Sequence, residues 1–256
     1  MNVIVLDLDD TLVDDTRATR ESVAQVLASE SLAADSEAVD QAMSYIRKMW
    51  SRHPHRHTGP LTAVSGWEAL WLPITDSGLP AAVADSLRRH EIQVWEAIIE
   101  SLHGDPGRAA AVARTFRACR RRALRLLPDV NAGLELLGRN HALWVATNGL
   151  PTQQRSKIKA TGLNPLLDRV LISGEVGLRK ADPGFAEAIG RLLRSSGQRV
   201  CLVVGDSTTQ DLQLADNGGW PAAHICSEIA CAVEVLFGVA VAHGPSLAQV
   251  GMSCDC

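Results

Sequence analysis

Two textures of apolar residues alternate along the chain. Short, nearly continuous apolar runs lie at 3–6, 142–146, 170–173, 200–204, 222–226 and 239–242, and helical patterns separate the later ones at 152–161, 183–195, 211–217 and 228–237. Strands that are apolar on both sides and separated by helices form a parallel sheet covered on both faces, so the expected class is α/β. The stretch 15–126 breaks this rhythm. Its segments 17–31, 36–50, 79–103 and 108–126 carry helical periodicity, as in Val23, Val26 and Leu27 at the i, i+3, i+4 spacing. The pattern predicts a core built from 1–14 and 127–256, interrupted by a helical domain at 15–126.

Composition narrows the function. The 256 residues carry 25 basic and 29 acidic side chains, net charge −4, which argues against a nucleic-acid partner. The first apolar run is broken by Asp7, far short of the ~20 residues that span a bilayer. It has no basic leader or cleavage site, so neither a membrane nor a secretory role is expected. Six scattered cysteines without a C-x-x-C pair read as reduced thiols in a cytoplasmic protein, with Cys254 and Cys256 at most a terminal metal pair. Lysine is scarce: only Lys48, Lys157, Lys159 and Lys180 occur, so a lysine beside candidate chemistry stands out.

That chemistry gathers where strands end, the place where open parallel sheets bind ligands. The first strand runs into Asp7 and Asp9, two carboxylates two residues apart. Like charges in a poorly hydrated cleft repel, and a hard divalent cation such as Mg²⁺ relieves them. The next strand runs into Thr147, Asn148 and Gly149, whose hydroxyl and backbone donors suit phosphate oxygens. Lys180 stands just before a helix that opens with Pro183, and a further strand runs into Asp206, with Asp211 following.

In this order the segments VIVLDLDDTL (3–12), VATNG (145–149), GLRKADPGF (177–185) and VVGDSTTQD (203–211) resemble the haloacid dehalogenase superfamily, in its subgroup with a helical cap inserted after the first motif. The resemblance implies a Rossmann-like core with helices on both faces and a cap at 15–126. It implies that Asp7 is a nucleophile forming an aspartyl phosphate. Asp9 is then an acid that protonates the leaving oxygen and next a base that activates water. Thr147 and the backbone at Asn148 bind phosphate, and Lys180 neutralises charge. Asp7, the carbonyl of Asp9 and Asp206 hold Mg²⁺, while Asp211 acts through water or holds Lys180. The implied partner is a small phosphorylated substrate, such as a sugar phosphate, a nucleoside monophosphate or a specialised-metabolite intermediate, acted on by a monomer or homodimer. Asp9 argues for phosphate esters over carbon–halogen bonds, which need no acid there. It also argues over carbon–phosphorus cleavage, for which Lys48 would be the lysine available in the insertion. A non-catalytic binding member of the fold would have no reason to keep the whole charged set.

Other features are weighed in the insertion. Trp67 and Trp71 are candidates to meet a substrate, although most of its four tryptophans are expected to be core. His53, His55 and His57 alternate in an irregular loop, read as solvated or facing substrate. Arg114, Arg117, Arg121 and Arg125 follow a helical spacing, read as a solvated face. Asp14 and Asp15 are expected to cap a helix and are assigned no chemistry.

Overall fold

The computed structural model describes residues 2–72 and 78–225; the helix expected at 228–237, the strand at 239–242 and Cys226, Cys231, Cys254 and Cys256 lie outside them. The chain divides into two compact units. One joins Met1–Asp14, Arg125–Asn148 and Gln154–Cys256; the other joins Asp15–Leu124 and Gly149–Gln153.

The first unit is built on a sheet of five strands: β1 (Asn2–Leu6), β2 (His141–Thr147), β3 (Arg169–Ile172), β4 (Arg199–Gly205) and β5 (Ala222–His224), in the order β3-β2-β1-β4-β5. All four pairings are parallel. Every residue of β2 is buried, as expected of a strand covered on both faces. On one face Val3, Val5, Ala142, Trp144 and Val203 pack with Phe185 and Ile189 of the helix Pro183–Ser196. The helix Val130–Gly138 buries Val130, Gly133, Leu134 and Leu137 at helical spacing; it precedes β2, and the sequence pattern had not separated it.

The second unit is helical, with α1 (Asp15–Ser29), α2 (Ser36–Ser51), α3 (Ala81–Ser101) and α4 (Ala109–Ala123). Val23, Val26, Met43, Ile46, Val94, Trp95, Ile98 and Phe116 share its core. Trp95 and Phe116 meet with ring centroids 5.0 Å apart, a favourable tilted aromatic pair. Among the described residues no helix is long and apolar enough to cross a membrane.

Candidate active site

Strand register brings the motifs to one level. Leu6 of β1 pairs with Val145 of β2 on one side and Val204 of β4 on the other. The residues that follow these three, Asp7, Ala146–Asn148 and Gly205–Asp206, therefore emerge together at the carboxyl edge of the sheet. Asp7 keeps one last sheet-like bond, its N–H donating to the Val204 carbonyl at 2.9 Å. The chain then curls tightly: Asp10 takes a left-handed conformation (φ 57°), and the N–H groups of Leu12 and Val13 both donate to the Leu8 carbonyl.

Lys180 lies at the centre of the charged set, with 3% of its surface exposed. Its Nζ donates to Asp7 Oδ1 and, at 2.6 Å, to Asp211 Oδ1. Asp211 is held in turn by the Ser207 N–H, 3.0 Å from its Oδ2. Of the two expectations for Asp211, the geometry displays the contact with Lys180. The Asn148 side chain is a brace: its Oδ1 accepts from the Lys180 N–H at 3.0 Å, and its Nδ2 donates to Gln210 at 2.9 Å. The Asn148 side chain therefore joins three motif loops.

The balance of charge explains the titration of these groups. Burial, reinforced by Asp211, pushes the Asp7 carboxyl well above the usual carboxylate range against the pull of Lys180. Burial, then Asp211 and Asp10, raise Asp206 to about 6. Burial works against the Lys180 ammonium, but Asp211 and Asp7 outweigh it and its pKa is raised. One lysine thus leaves the acidic groups under-neutralised. Oxygens of Asp7, Asp206 and Asp211 lie within 4.8 Å of one another. An all-carboxylate set short of positive charge suits a hard divalent cation such as Mg²⁺.

Asp9 shows what sequence reasoning missed. Its Oδ1 accepts from Lys157 Nζ at 2.8 Å, and its Oδ2 from Gln154 Nε2 at 2.8 Å. Both partners lie on the helix Pro151–Ala160 that follows β2, and both are fully buried. The Gln154 amide also reaches Thr147 Oγ1 at 2.9 Å and the Asn148 carbonyl at 2.6 Å. The scarcity of lysine and the i, i+3 spacing of Gln154 and Lys157, just after VATNG, were the available signals.

The features weighed in the helical unit resolve in part as read: Trp50, Trp71 and Trp95 are buried, and Arg114 and Arg121 are exposed. Trp71 is buried in the helical core at 3% exposure, and the half-buried Trp67 donates through Nε1 to Asp15 Oδ2 at 3.0 Å. Trp71 is thereby removed from the exposed candidates. The three loop histidines differ in burial: His53 is buried and stacked on Trp50 (5.1 Å), His55 is half-buried and His57 is exposed, as a solvated loop residue would be. Tight turns explain this, because Arg56 and Thr58 donate to the carbonyls of His53 and His55 instead of running extended. Within the arginine-rich helix α4, Arg117 pairs with Glu91, and Arg120 is completely buried against Asp15, with its guanidinium 5.0 Å from the centre of the Trp71 ring. Asp15 is therefore a buried ion-pair partner of Arg120. Lys48 is exposed on α2.

Comparison with known proteins agrees with this arrangement. Residues 1–219 match the haloacid dehalogenase-like hydrolase family. The phosphoserine phosphatase of Thermus thermophilus is 33% identical over 229 residues, 86% of each chain. The pyrimidine 5′-nucleotidase PynA of Streptococcus pneumoniae is 34% identical over 84 residues, 33% of this chain and 35% of that one. The HAD-hydrolase YfnB of Bacillus subtilis, solved bound to magnesium, superimposes with a TM-score of 0.59 at 14% identity over 88% of each chain, a likeness of fold. A five-stranded parallel core, four motifs at its carboxyl edge and a match across residues 1–219 place this chain in the haloacid dehalogenase-like hydrolase family, among its phosphatases.

Proposed function

We propose that the protein is a Mg²⁺-dependent phosphomonoesterase that works on a small phosphorylated metabolite through an aspartyl phosphate. The observation that carries this reading is the pairing of buried Asp7 with Lys180 at the sheet edge where the strands leading to Thr147 and Asp206 also end. Asp7 is the nucleophile: an oxygen of its carboxylate bonds to phosphorus as the bond to the leaving oxygen breaks. Asp9 gives that oxygen a proton. It then takes a proton from water, which attacks the same phosphorus and breaks the bond to Asp7. Thr147 and the N–H of Asn148 hold the phosphoryl oxygens, and Lys180 offsets the repulsion between the carboxylate and the phosphate. Asp7, Asp206 and the backbone carbonyl of Asp9 would hold Mg²⁺, which when bound supplies further positive charge to the same oxygens. Asp211 keeps Lys180 in place.

The helical unit at 15–126 would be the cap that selects the substrate, and the setting would be cytoplasmic. The names of the two relatives put phosphoserine and pyrimidine nucleotides at the head of a substrate panel that also includes sugar phosphates. The test is release of p-nitrophenol from its phosphate, with EDTA and then with Mg²⁺ restored. The expected outcome is loss and recovery of turnover. Full turnover in EDTA would overturn the metal reading, and halide release from a 2-haloacid without phosphatase turnover would overturn the ester reading.

A further inference from the structure

We propose that Gln154 and Lys157 are positioning residues that fix the Asp9 carboxylate beside the phosphate-binding threonine. The inference rests on the reading of Asp9 as the acid and base. The two residues lie one turn apart on a single helix and take one Asp9 oxygen each, both at 2.8 Å. A carboxylate held at one oxygen can rotate, whereas one held at both is fixed in orientation. Gln154 adds a spacing. Its amide nitrogen serves Asp9 and also Thr147 Oγ1 at 2.9 Å, so acid and phosphate clamp are set against a common side chain.

A purely structural role explains this arrangement poorly. Burying an ammonium and an amide to pack a helix is costly, and apolar side chains at the same positions would pack it more cheaply. Gln154 also accepts a penalty for its orientation: its Oε1 is buried with no hydrogen-bond partner. Turning the amide over would put that oxygen against the acceptors Asp9 and Asn148, so the side chain keeps its donor on Asp9 at the expense of its acceptor. A local cost tolerated beside reacting groups marks a position shaped by function.

The consequence is kinetic. A misplaced acid matters little when the leaving group departs as a stable anion, and much when it departs as a basic alkoxide. Lys157→Met and Gln154→Leu should each lower kcat for an alkyl phosphate at least about tenfold more than for p-nitrophenyl phosphate, with KM little changed, given that positioned acid–base catalysis contributes roughly 10²–10⁴-fold. Asp9→Asn should show the same selectivity more strongly, and adding Lys157→Met to it should cost little more, because the lysine acts through Asp9. Lys157→Arg should restore part of the alkyl turnover, and it serves with Gln154→Leu if Lys157→Met does not fold. If Asp9→Asn is selective but the Lys157 and Gln154 variants lose both substrates equally, or if the losses multiply in the double variant, the positioning role is wrong and the phosphatase reading stands. If Asp9→Asn itself is unselective, the assignment of Asp9 fails and this inference fails with it.

Discussion

Asp211 lies directly over the α-carbon of Gly205. A β-carbon at position 205 would come 2.2 Å from Asp211 Cγ, a distance no real structure tolerates. Only a residue without a side chain lets β4 end beneath the carboxylate that holds Lys180 at 2.6 Å. Gly205→Ala must push Asp211 aside, and overpacking of this kind costs about 1–3 kcal/mol. The expected result is a lower melting temperature together with a fall in phosphate release larger than the lost fraction of folded protein explains. Retention of full activity per folded molecule would show that Lys180 does not need Asp211.

Asp7→Asn should abolish turnover, by at least about a thousandfold, while leaving the fold intact. The amide keeps the shape of the carboxylate but cannot attack phosphorus. It also removes one member of a set in which burial and Asp211 already disfavour the charged form of Asp7. The variant should therefore melt at the wild-type temperature or above it. Phosphate release by Asp7→Asn near the wild-type rate would exclude a covalent intermediate at this residue.

Arg120 and Asp15 form a fully buried ion pair in the helical unit. Removing one partner strands the other charge away from water, at a cost of about 3–5 kcal/mol. Arg120→Met should therefore be strongly destabilising. Arg120→Met combined with Asp15→Asn should recover much of the loss, because Asn keeps an acceptor for the Trp67 indole. Chemical denaturation of the two variants checks this; equal losses would show that the charge on Asp15 is not what the arginine supports.

The helical unit should be sensitive to acid. Burial, then the neighbouring His53, hold His90 down to about 4, while burial and then His55 lower His53. An unfolded chain takes up these protons near pH 6.5. Between 6.5 and about 4 the unfolded state thus binds protons that the folded unit refuses, so stability falls as pH drops through that window and is unaffected above it. His90→Phe removes one of the two groups, so denaturant unfolding at pH 7 and pH 5 should show a smaller loss for the variant than for wild type. An identical loss would place the acid sensitivity elsewhere.

Asp7, Thr147 and Asp206 were legible because each sits at the end of an apolar run, and such runs announce the sheet that aligns them; Lys180 stood out by the scarcity of lysine and its place just before a helix. Asp7, Thr147, Lys180, Asp206 and Asp211 needed no knowledge of strand order. Lys157 and Gln154 did. Helical spacing says that they share a face, but that this face meets Asp9 depends on β2 lying next to β1. The burial of Arg120 was hidden for a related reason. Arg120 stands beside the arginines at helical spacing that read as a solvated face, and only its meeting with Asp15, 105 positions away along the chain, sets it apart. His53 was misjudged because its loop turns tightly and tucks the ring against Trp50.

The central place of β1 governs how this protein comes into being. Its residues 2–6 have no strand partner until His141–Thr147 and then Arg199–Gly205 have been made. The chain must close two long loops before the middle of the sheet exists, and such non-local pairing slows folding. During synthesis the first apolar run is therefore an unpaired strand waiting on distant sequence, while the helical stretch that follows it can already condense through local contacts. Asp206 and Asp211, which follow β4, join Asp7 and Lys180 only with the last of these steps. The charged set and the middle of the sheet therefore arrive together, and a product truncated before β4 holds Asp7 without Asp206 and Asp211.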